Sequence, residues 1–115
     1  MRDTHRPEPR HRDYEVLYAI LQEAYAQSAH GKGKVRHDDG HAWGDQPINR
    51  IAAEEGVGFP AGQAKKKIGE AGGMIRRGEF AAARAEYLGA IIYAAACVHW
   101  IDTHPSAKDH VDETE

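Results

Sequence analysis

Apolar side chains recur at helical spacing in several stretches of the chain, and nowhere is there a convincing strand-like alternation. The longest patterned stretch runs over 62–103. In its first half Ala64, Ile68, Ala71 and Ile75 mark one face. Lys65, Lys66, Lys67, Arg76 and Arg77 fall elsewhere and read as a solvated basic side. In its second half Phe80, Ala83, Tyr87, Leu88, Ile91, Ala94, Ala95, Val98 and Ile101 continue the pattern. Gly78 follows the basic last turn, where a helix end takes a residue tolerant of positive φ. Two apolar-faced helices with so short a link are expected to pack antiparallel.

Upstream, Tyr14, Leu17, Tyr18, Leu21, Ala24 and Tyr25 predict a helix capped by Asp13, reaching about Ala29 and ended by Gly31. A shorter helix is predicted through Pro47, Ile48, Ile51 and Ala52, with Asp45 as its cap and Gly56 at its end. The run GVGFPAG reads as a linker into the hairpin, with Phe59 plugging the core beneath it. The expected fold is all-α, with about four helices organised around the long hairpin. Residues 1–12 hold two prolines and four arginines and read as a disordered arm. From Pro105 onward the chain reads as an acidic, frayed tail, which leaves 13–104 as one helical domain.

Composition narrows the classes. A chain of 115 residues has room for a single modest core. Mean hydropathy is −0.70, no apolar run is read as approaching a membrane span, and the N-terminus lacks a signal-peptide core. The expected compartment is therefore the cytoplasm, without a membrane partner. A net charge of −3 argues against a general nucleic-acid binder. Cys97, the single cysteine, lies in the most apolar helix and reads as a small hydrophobe, with no intramolecular disulfide. Gly89, Ala90, Ala94, Ala95 and Ala96 permit close helix approach and favour a homodimer or higher homo-oligomer.

Candidate chemistry sits in two places. Residues 30–46 show no secondary-structure period, and a loop of that length in a small domain is usually functional or disordered. Gly31, Lys32, Gly33, Lys34 and Arg36 offer backbone amides and positive charge suited to phosphate, without Walker A spacing. His37, Asp38, Asp39 and His41 suit a divalent ion by type but not by zinc-site spacing. A plainly solvated loop is the third reading. Trp43 either pins the loop to the core or walls a ligand. The tyrosines of the first helix, Tyr25 among them, are core or interface aromatics or a platform for a nucleobase.

The second place is the hairpin. Glu70 lies eight residues before Gly78 and Glu86 eight after. At about 1.5 Å rise per residue, both sit roughly 12 Å from the turn. Two facing carboxylates in a poorly solvated place resist ionising together, and a hard cation such as Mg²⁺ relieves that cost. The alternative is that both point outward and pair with Lys66, Lys67 or Arg84.

The string KKKIGEAGGMIRRGEFAAARAEYLGAIIYAAACVHWID resembles the core of the MazG-like all-α nucleoside triphosphate pyrophosphohydrolases. In that family Glu-Glu-x-x-Glu on the first hairpin helix and Glu-x-x-Asp on the second bind Mg²⁺. The metal activates water against the α–β phosphate bond. Here the first motif falls on Gly69, Glu70 and Gly73, and the second on Glu86 and Gly89. Only Glu70 and Glu86 remain as metal ligands. The resemblance thus implies a nucleotide-shaped pocket on a MazG-like bundle more strongly than turnover; an active form would be a Mg²⁺-dependent nucleotide pyrophosphohydrolase. On that reading Lys32, Lys34 and Arg36 take the phosphates, and Trp43 or Tyr25 stacks the base. The arrangement GKGKVRH, DQPI, GQAKKKI, YLGAIIY also resembles small phage and prophage proteins. It implies an alternative, a non-catalytic counter-defence protein that sequesters a signalling nucleotide or binds and inhibits a host protein.

Overall fold

A computed structural model describes residues 11–30 and 40–104, and every regular element among them is helical. A 3₁₀ turn, His11–Tyr14, runs into α1 (Glu15–Ala29). A second 3₁₀ turn, Trp43–Asp45, leads into α2 (Pro47–Glu55). The hairpin follows as α3 (Gly58–Arg76) and α4 (Phe80–Thr103). The expected arm and tail, the helix stop at Gly31 and the loop residues 31–39 lie outside the described residues, apart from residues 11 and 12.

The hairpin turn forms as its sequence predicts. Gly78 has φ +79°, the left-handed region that a Cβ disfavours. Its N–H donates to the Ile75 carbonyl at 3.0 Å, and the Glu79 N–H donates to the Met74 carbonyl at 2.8 Å. These two bonds together are the Schellman closure of α3, which satisfies carbonyls of its last turn.

The other helix ends differ from expectation. Asp13 lies within the first 3₁₀ turn, and Tyr14 occupies the N-cap of α1 with no side-chain cap bond. Asp45 likewise ends a 3₁₀ turn, so Gln46 is the cap residue of α2. In both places an extra tight turn precedes the helix and shifts its start by one or two residues. The linker contracts to Gly56 and Val57, because α3 begins at Gly58 and absorbs Phe59, Pro60, Ala61 and Gly62. Pro60 falls in the first turn, where its missing N–H forfeits no intrahelical bond. Among the described residues it is also the largest fully buried side chain, whereas Phe59 is only half-buried.

α4 is the central element: α3 packs along it, α2 fills the angle between α3 and α4, and α1 rests chiefly on α4. Among the described residues the buried apolar side chains are Pro60, Ile48 and Leu88 with six alanines, Ala24, Ala52, Ala71, Ala83, Ala90 and Ala96. Alanines let the backbones approach closely but bury little area each. Much of the bulk predicted for the core stays outside. Tyr14 at the N-cap of α1 and Leu17, Tyr18, Leu21 and Tyr25 within it are each about half exposed or more. By length and composition α4 is also apolar enough to cross a membrane, the single such helix among the described residues. The sequence reading missed this because Arg84, Glu86 and Tyr87 interrupt the apolar run near its start.

Candidate functional site

The geometry of α4 creates a cleft. Ala82, Ala85, Glu86, Gly89 and Tyr93 recur at helical spacing along one face of α4 and form its floor. α1 supplies one wall with Glu23, Gln27 and His30, and α3 the other with Gln63, Lys66 and Lys67. Trp43 and Gln46 close one end. The space is open to solvent and measures about 890 Å³.

Lys67 organises the floor. Its Nζ lies 3.3 Å from Oε1 of Glu86, with both side chains about a quarter exposed. The same ammonium is 5.9 Å from the centroid of the Tyr93 ring. Its methylene stem lies over Gly89, where an added Cβ would stand 3.0 Å from Cδ. Gly89 thus leaves the space in which the lysine lies down across α4. A partly solvated pair of this kind contributes little to stability but fixes where a positive charge sits.

The α1 wall is tied to the floor by two polar contacts. Gln27 Nε2 donates to the Ala85 carbonyl at 3.2 Å, and Arg84 pairs with Glu23. At the far end, buried Asn49 donates from Nδ2 to the Trp43 carbonyl at 2.9 Å. That bond holds the 3₁₀ turn onto α2. Among the described residues Asn49 Oδ1 has no hydrogen-bond partner. The Trp43 ring lies 5.8 Å from the His99 ring at 55°, so the indole touches α4 and also lines the cleft. A smaller cavity of about 210 Å³ lies beyond, lined by Asn49, His99, Trp100 and Thr103.

The residues singled out by sequence fall as follows. Trp43 and Glu86 line the cleft, but Glu70 is exposed on α3 and lies outside it. The partner of Glu86 is Lys67, the outward-pairing alternative in kind, though half-buried rather than solvated. Tyr25 is exposed, lies edge-on to His30 and does not line the cleft. Lys32, Lys34, Arg36, His37, Asp38 and Asp39 lie outside the described residues. His41 is exposed, and its carbonyl accepts from Gln46 Nε2 at 3.0 Å. No group of three or more His, Cys, Asp or Glu among the described residues is placed to hold a metal ion.

Sequence reasoning missed Gln27, Gln63 and Tyr93. It named Lys67 among the possible partners of Glu86 but placed it on a solvated basic side rather than in a cleft. The available signal was the spacing of Glu86, Gly89 and Tyr93, which sets an acid, a gap and a ring on one helical face. Together the lining offers two aromatic rings, two ammonium groups, three amides and two carboxylates around one open space. That set can stack a planar ring, pair with an anion and hydrogen-bond a polar edge. No family model, curated protein or solved structure matches the chain.

Proposed function

We propose that the cleft binds a nucleotide and does not cleave it, on a scaffold of the MazG-like kind. The observation that supports this most is the meeting of Trp43 and Tyr93 with Lys66 and Lys67 in one cleft. Its volume of about 890 Å³ lies within the range of small-molecule sites. A base stacks on Trp43, and the phosphates take the Lys67 ammonium in exchange for its bond to Glu86. Glu86 holds that charge in position until the ligand arrives. The Gln27, Gln46 and Gln63 amides provide hydrogen bonds for the base or sugar.

Binding is favoured over turnover by the arrangement of the acids. Metal-assisted hydrolysis needs several carboxylates converging on Mg²⁺. Here Glu86 faces an ammonium, and Glu70 lies away from the cleft. Thermal melting against a nucleotide panel, with and without Mg²⁺, tests the proposal when followed by chromatography of the recovered ligand. The expected result is a rise of several degrees with the ligand intact. Released pyrophosphate would make the protein an enzyme, and no shift with any nucleotide would remove the nucleotide reading altogether.

A further inference from the structure

The protomer leaves a second face unfinished. Tyr87, Ile91, Ala94, Val98 and Ile101 follow one another on α4 at steps of four, three, four and three residues. That is the spacing of a helix-pairing seam. Ile91 is half-buried and the other four are exposed. At about 100° per residue this seam points roughly opposite to the cleft-lining row of α4. The same arithmetic turns Leu17, Leu21 and the tyrosines of α1 away from Glu23 and Gln27. On α3 it sets the exposed Ile68 and Ile75 about half a turn from the cleft-lining Lys66, though only a quarter turn from Lys67. Three helices therefore present apolar side chains on the back of the cleft.

We infer that this back face is covered by a second copy of the same chain, with the α4 helices antiparallel and crossing at Ala94. Four observations favour a copy of itself over other occupants. First, the seam is self-complementary. A twofold axis through Ala94 sets Tyr87 against Ile101, Ile91 against Val98, and the smallest residue against itself, where two backbones come closest. Second, charge agrees with the pairing. Arg84, which pairs with Glu23 of its own α1, and Asp102 flank opposite ends of the seam, so the antiparallel arrangement sets no like charges against each other there.

Third, the area suffices. The exposed fractions on the three helices amount to roughly 700 Å² of apolar side chain. A standard interface of about 800 Å² per partner needs roughly 500 Å² of apolar surface. Fourth, the buried side chains among the described residues, six alanines with Ile48, Leu88 and Pro60, make a small core. Covering the back face with a second copy adds the apolar burial that one protomer lacks. The expected contribution of the small residues is thereby divided. Gly89, Ala90 and Ala96 are buried within the protomer, and Ala94 and Ala95 stay exposed for the contact between copies. The clefts open on the opposite side, so each copy keeps its own.

Light scattering on the full chain gives the first test, with an expected mass of twice 12.7 kDa. Ala94→Cys in a Cys97→Ser background should then oxidise to a covalent dimer, because the two sulfurs meet on the axis. Ala85→Cys in the same background lies on the cleft side and should stay unlinked. Ala94→Glu should give a monomer that keeps its helical circular dichroism. A monomeric wild-type mass overturns the inference, as does crosslinking through residue 85 but not 94. Flotation of the protein with phosphatidylcholine vesicles in place of self-association would assign the face to a membrane and overturn it equally.

Discussion

At the scale of single residues, the account rests on where Lys67 is held. Its ammonium reaches Glu86 only because Gly89 leaves room for the stem. Gly89→Ala is therefore expected to separate stability from binding. Glycine inside a helix costs about 1 kcal/mol relative to alanine, and the new methyl displaces only the far end of a flexible side chain. Urea unfolding should show equal or slightly higher stability, while nucleotide affinity falls. Lys67→Met removes the charge and keeps the stem. A hydrogen bond to a charged group contributes about 1.5–3 kcal/mol, so affinity should fall tenfold or more with little change in melting temperature. The sequence made the height of Glu70 and Glu86 along the hairpin readable, but not their azimuth. Rise counts residues from a turn, whereas facing depends on rotation about each axis, which packing sets. One acid therefore lies in the cleft and the other outside it.

At the scale of elements, periodicity and Gly78 made the hairpin legible, because both signals are local. The Schellman closure needs positive φ at Gly78. Gly78→Ala should lower unfolding stability by about 1 kcal/mol, read from the urea midpoint. The boundaries were less legible. Glycine and proline in GVGFPAG read as breakers, yet proline in a first helical turn is compatible with the helix it opens, and α3 starts there. Asp13 and Asp45 read as caps, yet each lies in a 3₁₀ turn that a pattern of apolar positions does not reveal. Asn49 is another feature beyond periodicity. It lies on α2, but its donor secures the Trp43 turn. Asn49→Ala should loosen that turn, with a red shift of Trp43 emission in a Trp100→Phe background and a stability loss on the order of 1 kcal/mol.

At the scale of the whole molecule, an all-α bundle follows from apolar faces that recur on every helix, but those faces do not all meet in one core. The stripe of α1 is as regular as that of α3, and it remains largely exposed because α1 touches α4 through Ala24 and its polar neighbours. A sequence shows that a face exists, not which surface covers it. The molecule therefore has two distinct sides, a polar and aromatic cleft on one and an exposed apolar seam on the other. Seam variants such as Ala94→Glu should change assembly while leaving the residues of the cleft in place, and Lys67→Met should do the reverse. The most direct measurement is titration calorimetry of the full chain with the common ribonucleoside triphosphates, wild type beside Lys67→Met. The account predicts one nucleotide bound per protomer, and binding weakened tenfold or more in the variant. Absence of binding by every nucleotide, or an unchanged affinity in Lys67→Met, would contradict it.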